Sequence, residues 1–306
     1  MTPHIDRRAF LALGVGALAW ACARGGSDDE TQDTASPSGA AGAISVLAGA
    51  PVMAIGDTRQ PIVILRGQRP ITPDDLVVKL AGPGVEPFEV TATKHEIVRG
   101  LGGEEIEEDH THAPGTEVEE IFVIRHDFDR EGTWDVAVTF EGGRGAAAFQ
   151  VVESVPSPKV GDKAIASDSP TTGDPKGVDP ICTRDPVCSL HDVTIADALG
   201  RNKPVVITFA TPRFCTSRAC GPVVDIVEAE KNRVGDAASF VHIEVWKDDG
   251  DAVGKTPAAT FGEWKFDGEP WTYFIGADGT VRDRWLGPVG ADELTKAVDA
   301  LIDGKL

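Results

Sequence analysis

The stretch that most constrains this chain is "PVVITFATPRFCTSRACGP", residues 204–222. Its first seven residues are an uninterrupted apolar run. A strand without polar alternation is buried on both faces, as in an α/β sheet covered by helices. Two cysteines follow, Cys215 and Cys220, with four residues between them. In a regular helix, residues five apart have Cα atoms ~8.6 Å apart. A disulfide needs roughly 4.4–6.8 Å. Both cysteines therefore cannot sit in regular helix and still bond. Gly221-Pro222 resolves the conflict, because proline suits a first helical turn. The helix is predicted to start near Cys220, with Cys215 on the loop before it. A helix N-terminus has unpaired N–H groups and partial positive charge, which favour a thiolate. Cys220, nearer the helix dipole, is then the candidate for the more acidic thiol.

The elements around this motif extend the α/β pattern over residues 181–306. "TIADALG" is a short helix with Thr194 as N-cap. "SFVHIEVW" is a second buried strand. "WTYFIGADGTVRDRWLG" is a hairpin turning at Ala277-Asp278-Gly279. "ADELTKAVDALI" is a terminal amphipathic helix, with Leu294, Val298, Leu301 and Ile302 on one side. This order resembles the thioredoxin-like domain of the thiol–disulfide oxidoreductase superfamily. The resemblance implies that Pro270, in "GEPWTYF", is a cis-proline facing the cysteines. It also implies a catalytic set of Cys215, Cys220 and Pro270, with Cys215 as attacker and Cys220 as resolving thiol; the reverse assignment stays open, because Cys220 lies nearer the helix dipole. Phe214 beside Cys215, and Trp271 after Pro270, are then candidate substrate contacts. Two departures stand out. The family's usual pair is separated by two residues, and the aspartate that many members bury in the first strand is absent, with Thr208 in "VVITFA". "CTSRACG" also resembles Q-type peroxiredoxins. Those enzymes need a hydroxyl residue and a proline where this chain has Pro212 and Thr208.

Residues 44–154 read differently. "PIVILRG", "DDLVVKLAG", "PFEVTAT", "EIFVIRH", "TWDVAVTF" and "AAAFQVVE" are short β-branched runs, several alternating apolar and polar. About seven strands in roughly 110 residues predict a β-sandwich. Trp134, Val136, Val138 and Phe140 share one face of a strand that looks like a late strand of an immunoglobulin-like domain. The fold class is thus multidomain: an all-β immunoglobulin-like sandwich followed by an α/β thioredoxin-like domain. Residues 155–180 carry five prolines among Ser, Thr, Gly and Asp, and are predicted to be an extended interdomain linker.

Residues 1–22 read as an export signal. Arg7 and Arg8 before an apolar run resemble a twin-arginine signal, and the run is too short to span a bilayer. Cys22 after "AWA" resembles a lipobox cysteine, which implies lipidation and a membrane anchor. Trp20 and Ala19 depart from that pattern, and simple cleavage nearby is the alternative. Residues 23–43 are small, polar and acidic, as expected of a disordered linker. Localisation is accordingly expected outside the cytoplasm, on a membrane-anchored lipoprotein. There, thiol pairs can be stably oxidised.

Of 306 residues, the five cysteines leave two close pairs once Cys22 is set aside. Cys182 and Cys188 are predicted to be a structural disulfide. A second redox pair is the sharper alternative. His191 is expected at the surface. His110 and His112, in "EEIEEDHTHAPGTEVEE", read as part of an exposed acidic hairpin loop, with two imidazoles on one strand face binding copper or zinc as the sharper alternative. No histidine neighbours Cys215 and Cys220, so no metal and no cofactor is assigned. A net charge of −20 argues against nucleic acid. The expected partners are exported cysteine-containing proteins, an electron donor, and a membrane through the lipid anchor. A peroxidase and a non-catalytic partner-binding lipoprotein are the alternative functions.

Overall fold

In the computed structural model, residues 42–97, 118–215, 219–247 and 256–306 are described. The export signal with Cys22, nearly all of the 23–43 segment, and the loop of His110 and His112 lie outside them. Among the described residues, β-strand predominates and no helix is long and apolar enough to cross a membrane.

Ten strands fill the first part: β1 (Ile44–Ala48), β2 (Val52–Ala54), β3 (Arg59–Arg66), β4 (Arg69–Ile71), β5 (Val77–Gly82), β6 (Val85–Val90), β7 (Ala92–Glu96), β8 (Glu120–Arg125), β9 (Gly132–Phe140) and β10 (Gly143–Val152). They form two five-stranded sheets. One runs β1-β3-β8-β7 with β4 on β3, and the other runs β2-β10-β9-β5-β6. The period-two alternation of β9 is realised in full. Trp134, Val136, Val138 and Phe140 are buried, and the residues between them are exposed. These side chains meet Ile62, Ile64, Phe122 and Ile124 of the other sheet in one shared core. Trp134 donates its indole N–H to the Arg130 carbonyl at 3.0 Å and packs edge-on to Phe128.

The second part contains α1 (Ile195–Gly200), β11 (Val205–Ala210), α2 (Cys220–Val234), β12 (Ser239–Glu244), α3 (Ala259–Glu263), β13 (Trp271–Ile275), β14 (Val281–Leu286) and α4 (Ala291–Ile302). Its sheet runs β12-β11-β13-β14. β11 and β12 are parallel and joined through α2, while β13 and β14 are antiparallel additions. Thr194 caps α1 by accepting from the Asp197 amide at 2.9 Å.

The two parts belong to one compact unit. β3 and β8 are buried along most of their length because their sheet is covered on both faces. On the outer face, Ile97, Ile121 and Val123 share a core with Leu294, Ala297 and Val298 of α4. Arg59, buried in this joint, donates to both Glu293 carboxylate oxygens at 2.9 and 2.8 Å and to the Pro288 carbonyl at 2.7 Å. Arg125 adds a 2.9 Å bond to Glu293. Both guanidinium groups lie over Trp285, at 4.8 and 5.2 Å. Arg284 pairs with Asp57 at 2.9 Å. Gly287 has φ +90°, and a Cβ there would lie 2.6 Å from the Gly49 carbonyl oxygen, so backbone meets backbone across the joint.

Residues 155–180, expected as an extended interdomain linker, are stitched onto the α/β part. The Tyr273 hydroxyl donates to Pro158 O at 3.0 Å, the Trp264 indole to Ser167 Oγ at 2.9 Å, and the Ile195 amide to Ser169 Oγ at 2.9 Å. Buried Tyr and Trp need acceptors for their polar tips, and this irregular segment supplies them.

Burial alone would raise the Glu293 carboxyl, but Arg59 and then Arg125 outweigh it and hold it below the ordinary glutamate value. A depressed carboxyl stabilises the fold at neutral pH, and that contribution is lost as pH falls through its folded value. Glu293→Ala leaves Arg59 buried without its partner, and is expected to cost about 3 kcal/mol at neutral pH. Denaturant unfolding from neutral to acidic pH should show the difference from wild type shrinking as pH falls.

Candidate functional site

All six residues of β11 are buried, because strands flank it and helices cover it. Its side chains divide by period two. Val206 and Ala210 face the core beneath α2, which also holds Cys220, Cys182 and Cys188. Val205, Ile207 and Phe209 face the opposite core. Past Ala210 the chain turns, and the amides of Phe214 and Cys215 both donate to the Thr211 carbonyl, at 3.2 and 3.1 Å. Helix α2 then starts at Cys220, with Pro222 in its first turn, no acidic residue there, and no side-chain cap. Cys215 thus lies outside the helix that Cys220 begins.

Cys215 is half-buried on this loop, while Cys220 is fully buried. Both are free thiols, and Cys215 lies near enough to Cys220 to shift its protonation. Burial pushes the Cys220 thiol well up, and its contact with Cys215 and the charge of Cys215 push it further. The Glu269 carboxyl is pushed up by burial, then by Cys215 and Glu244. Glu269 therefore stands where its charge acts on both sulfurs. The Glu269–Pro270 peptide is cis. Phe214 is half-buried under the Arg213 guanidinium, 5.5 Å from its ring centroid. Trp271 does not wall the cysteines. It points into the opposite core, stacked on Phe266 at 5.4 Å, because adjacent strand residues face opposite ways and Phe274 and Thr272 take the other face.

A second cluster lies on the cysteine side of the same sheet. Cys182 and Cys188, predicted to be a disulfide, are free thiols with sulfurs 3.7 Å apart. His191, expected at the surface, is buried with Nε2 3.3 Å from Cys188 Sγ. His242 of β12 brings Nδ1 to 3.3 Å from Cys188 Sγ and 3.7 Å from Cys182 Sγ. The imidazole rings are 4.8 Å apart. These four residues form a group able to hold a metal ion, where the sequence assigned none. The contact between the two thiols pushes Cys182 down and Cys188 up, so their titrations are coupled. Nothing near Cys188 in sequence points to His242. Its only signal is a histidine flanked by apolar residues in a fully buried strand.

The loop carrying this cluster is clamped in place. Thr183 donates its amide and hydroxyl to Glu244 Oε2 at 2.9 and 2.8 Å, and accepts from the Arg213 amide at 3.2 Å. Arg184 pairs with Asp225 of α2 at 2.5 Å, both buried.

No family model and no curated protein matches this chain. A structural neighbour is a thiol:disulfide interchange protein of the thioredoxin family from Chlorobium tepidum TLS. It is 14% identical, with a TM-score of 0.31, over 49% of this chain and 98% of that one. The M1 domain from titin is also 14% identical, with a TM-score of 0.19, over 35% of this chain and 91% of that one. At these TM-scores neither neighbour assigns a fold or an activity to this chain.

The burial difference between the two thiols has a direct readout. In the native reduced protein, iodoacetamide is expected to modify Cys215 first. Cys220 should react on the order of 100-fold more slowly, since only local opening exposes it. Peptide mass spectrometry over a time course measures both rates. Equal rates would contradict the assigned burial.

Proposed function

We propose that this chain is an exported, lipid-anchored thiol–disulfide oxidoreductase acting on cysteines of other exported proteins. In this reading residues 181–306 are a thioredoxin-like domain. The immunoglobulin-like sandwich is a docking module fixed to it, and Cys22 carries the lipid. The observation that carries the proposal is the asymmetry of the pair: a half-exposed Cys215 thiol beside a fully buried Cys220 thiol at the start of α2. A buried thiol with a raised pKa is a poor first nucleophile, which supports Cys215 as the attacker.

The exchange then balances as follows. Cys215, as thiolate, attacks a substrate disulfide. One substrate sulfur bonds to Cys215 and the other leaves as a thiolate that takes a proton. Cys220 then loses its proton and attacks Cys215 Sγ, which releases the second substrate thiol. The products are a reduced substrate and a Cys215–Cys220 disulfide. The proton of Cys220 needs an acceptor, and Glu269 supplies it. Thr208 has no carboxylate to offer in β11. Burial, then the charges of Cys215 and Glu244, raise the Glu269 carboxyl above the ordinary glutamate value, which makes its carboxylate a stronger base.

Cys215→Ser is expected to abolish insulin reduction, and Cys220→Ser to leave a trapped mixed disulfide on Cys215. A base works only after losing its own proton, so the resolving rate should rise with pH through the raised Glu269 value. Glu269→Gln should slow resolution about tenfold or more and remove that limb from the profile. Stopped-flow thiol release across pH measures both. A wild-type protein that consumes peroxide rapidly through Cys215 would favour a peroxidase. One that neither exchanges disulfides nor consumes peroxide would favour a non-catalytic binding protein.

A further inference from the structure

We infer that Cys182, Cys188, His191 and His242 form a closed, four-coordinate zinc site. The inference is independent of the redox reading, since it needs neither Cys215 nor Cys220. Zinc binds thiolate sulfur at about 2.3 Å and imidazole nitrogen at about 2.0–2.1 Å, in a tetrahedron. Those bond lengths place two sulfurs about 3.8 Å apart and a sulfur and a nitrogen about 3.5 Å apart. The separations here are 3.7 Å between sulfurs and 3.3, 3.3 and 3.7 Å from sulfur to nitrogen. All four donor atoms lie within 4.8 Å of one another. A disulfide would require sulfurs at about 2.05 Å, and would leave both imidazoles facing groups that bind them weakly.

The orientation of His242 is that of a ligand. Its Nε2–H donates to the Ala210 carbonyl at 3.0 Å. That bond selects the tautomer whose bare Nδ1 lone pair points at both sulfurs. Burying two imidazoles and two thiols among Leu190, Val206 and Val223 is costly unless each finds a strong partner. A divalent cation supplies all four at once and takes up the negative charge of the thiolates. Two thiolates and two imidazoles in a tetrahedron suit zinc. All four ligands are buried protein groups, so the site is structural. It ties the irregular 182–191 segment to β12. Through Thr183 and Arg213, that segment in turn holds the loop of Cys215.

The test uses the folded chain, reduced with a phosphine, incubated with zinc chloride and dialysed. Mass spectrometry of metals is expected to find about one zinc per chain. X-ray absorption should show a first shell of two sulfurs and two nitrogens. Replacing Cys215 and Cys220 together with serine should leave zinc content and shell unchanged, whereas His242→Ala should reduce the content at least several-fold. The absorption measurement on the wild-type chain stands even if the His242 variant fails to fold. Absence of zinc after reduction, a shell without sulfur, copper retained in preference to zinc, or loss of the metal in the double serine variant would each overturn the assignment.

Discussion

The joint at Glu293 holds the described structure together. One carboxylate in the first turn of α4 receives two bonds from Arg59 and one from Arg125, and both guanidinium groups lie over Trp285. A buried ion pair is costly to desolvate, and it persists only where hydrogen bonds satisfy the remaining groups. Here Pro288 O and the second arginine do so. The consequence is architectural. A sheet that in an isolated sandwich would turn one face to water instead has both faces covered, and α4 is shared between the two parts. A sandwich fixed in this way cannot swing like a module on a tether.

In the same core that α4 closes, two sulfur clusters lie in one apolar environment beneath α2. They are chemically unlike. Cys215 is partly open to solvent and pairs with a buried neighbour, which suits a bond that forms and breaks. Cys182 and Cys188 are enclosed, each with imidazole nitrogen in reach, which suits a bond that stays. Both depend on the end of β11. Thr211 O anchors the turn to Cys215, and Ala210 O orients His242. Two adjacent carbonyls at a strand end therefore set the geometry of both groups. Such backbone acceptors are invisible in the identity of the residues that carry them.

What the sequence determined by itself is local. Alternation in "TWDVAVTF" fixes which side chains of β9 enter the core. The unbroken run of "VVITFA" requires a strand covered on both faces. Gly221-Pro222 sets the helix start at Cys220 and leaves Cys215 outside it. Each follows from backbone period or a dihedral preference, which act over a few residues. The tertiary structure alone decided what these elements meet. Trp271 follows Pro270 in sequence, yet it faces away from the cysteines, because strand side chains alternate. Cys182 and Cys188, close enough in sequence to suggest a bond, meet His242 from a distant strand. A proline-rich segment that looks like a spacer satisfies the polar tips of buried tyrosine and tryptophan. Spacing along a chain limits which neighbours can be close. It does not reveal which remote group folding will place beside them, because that depends on how whole faces are buried.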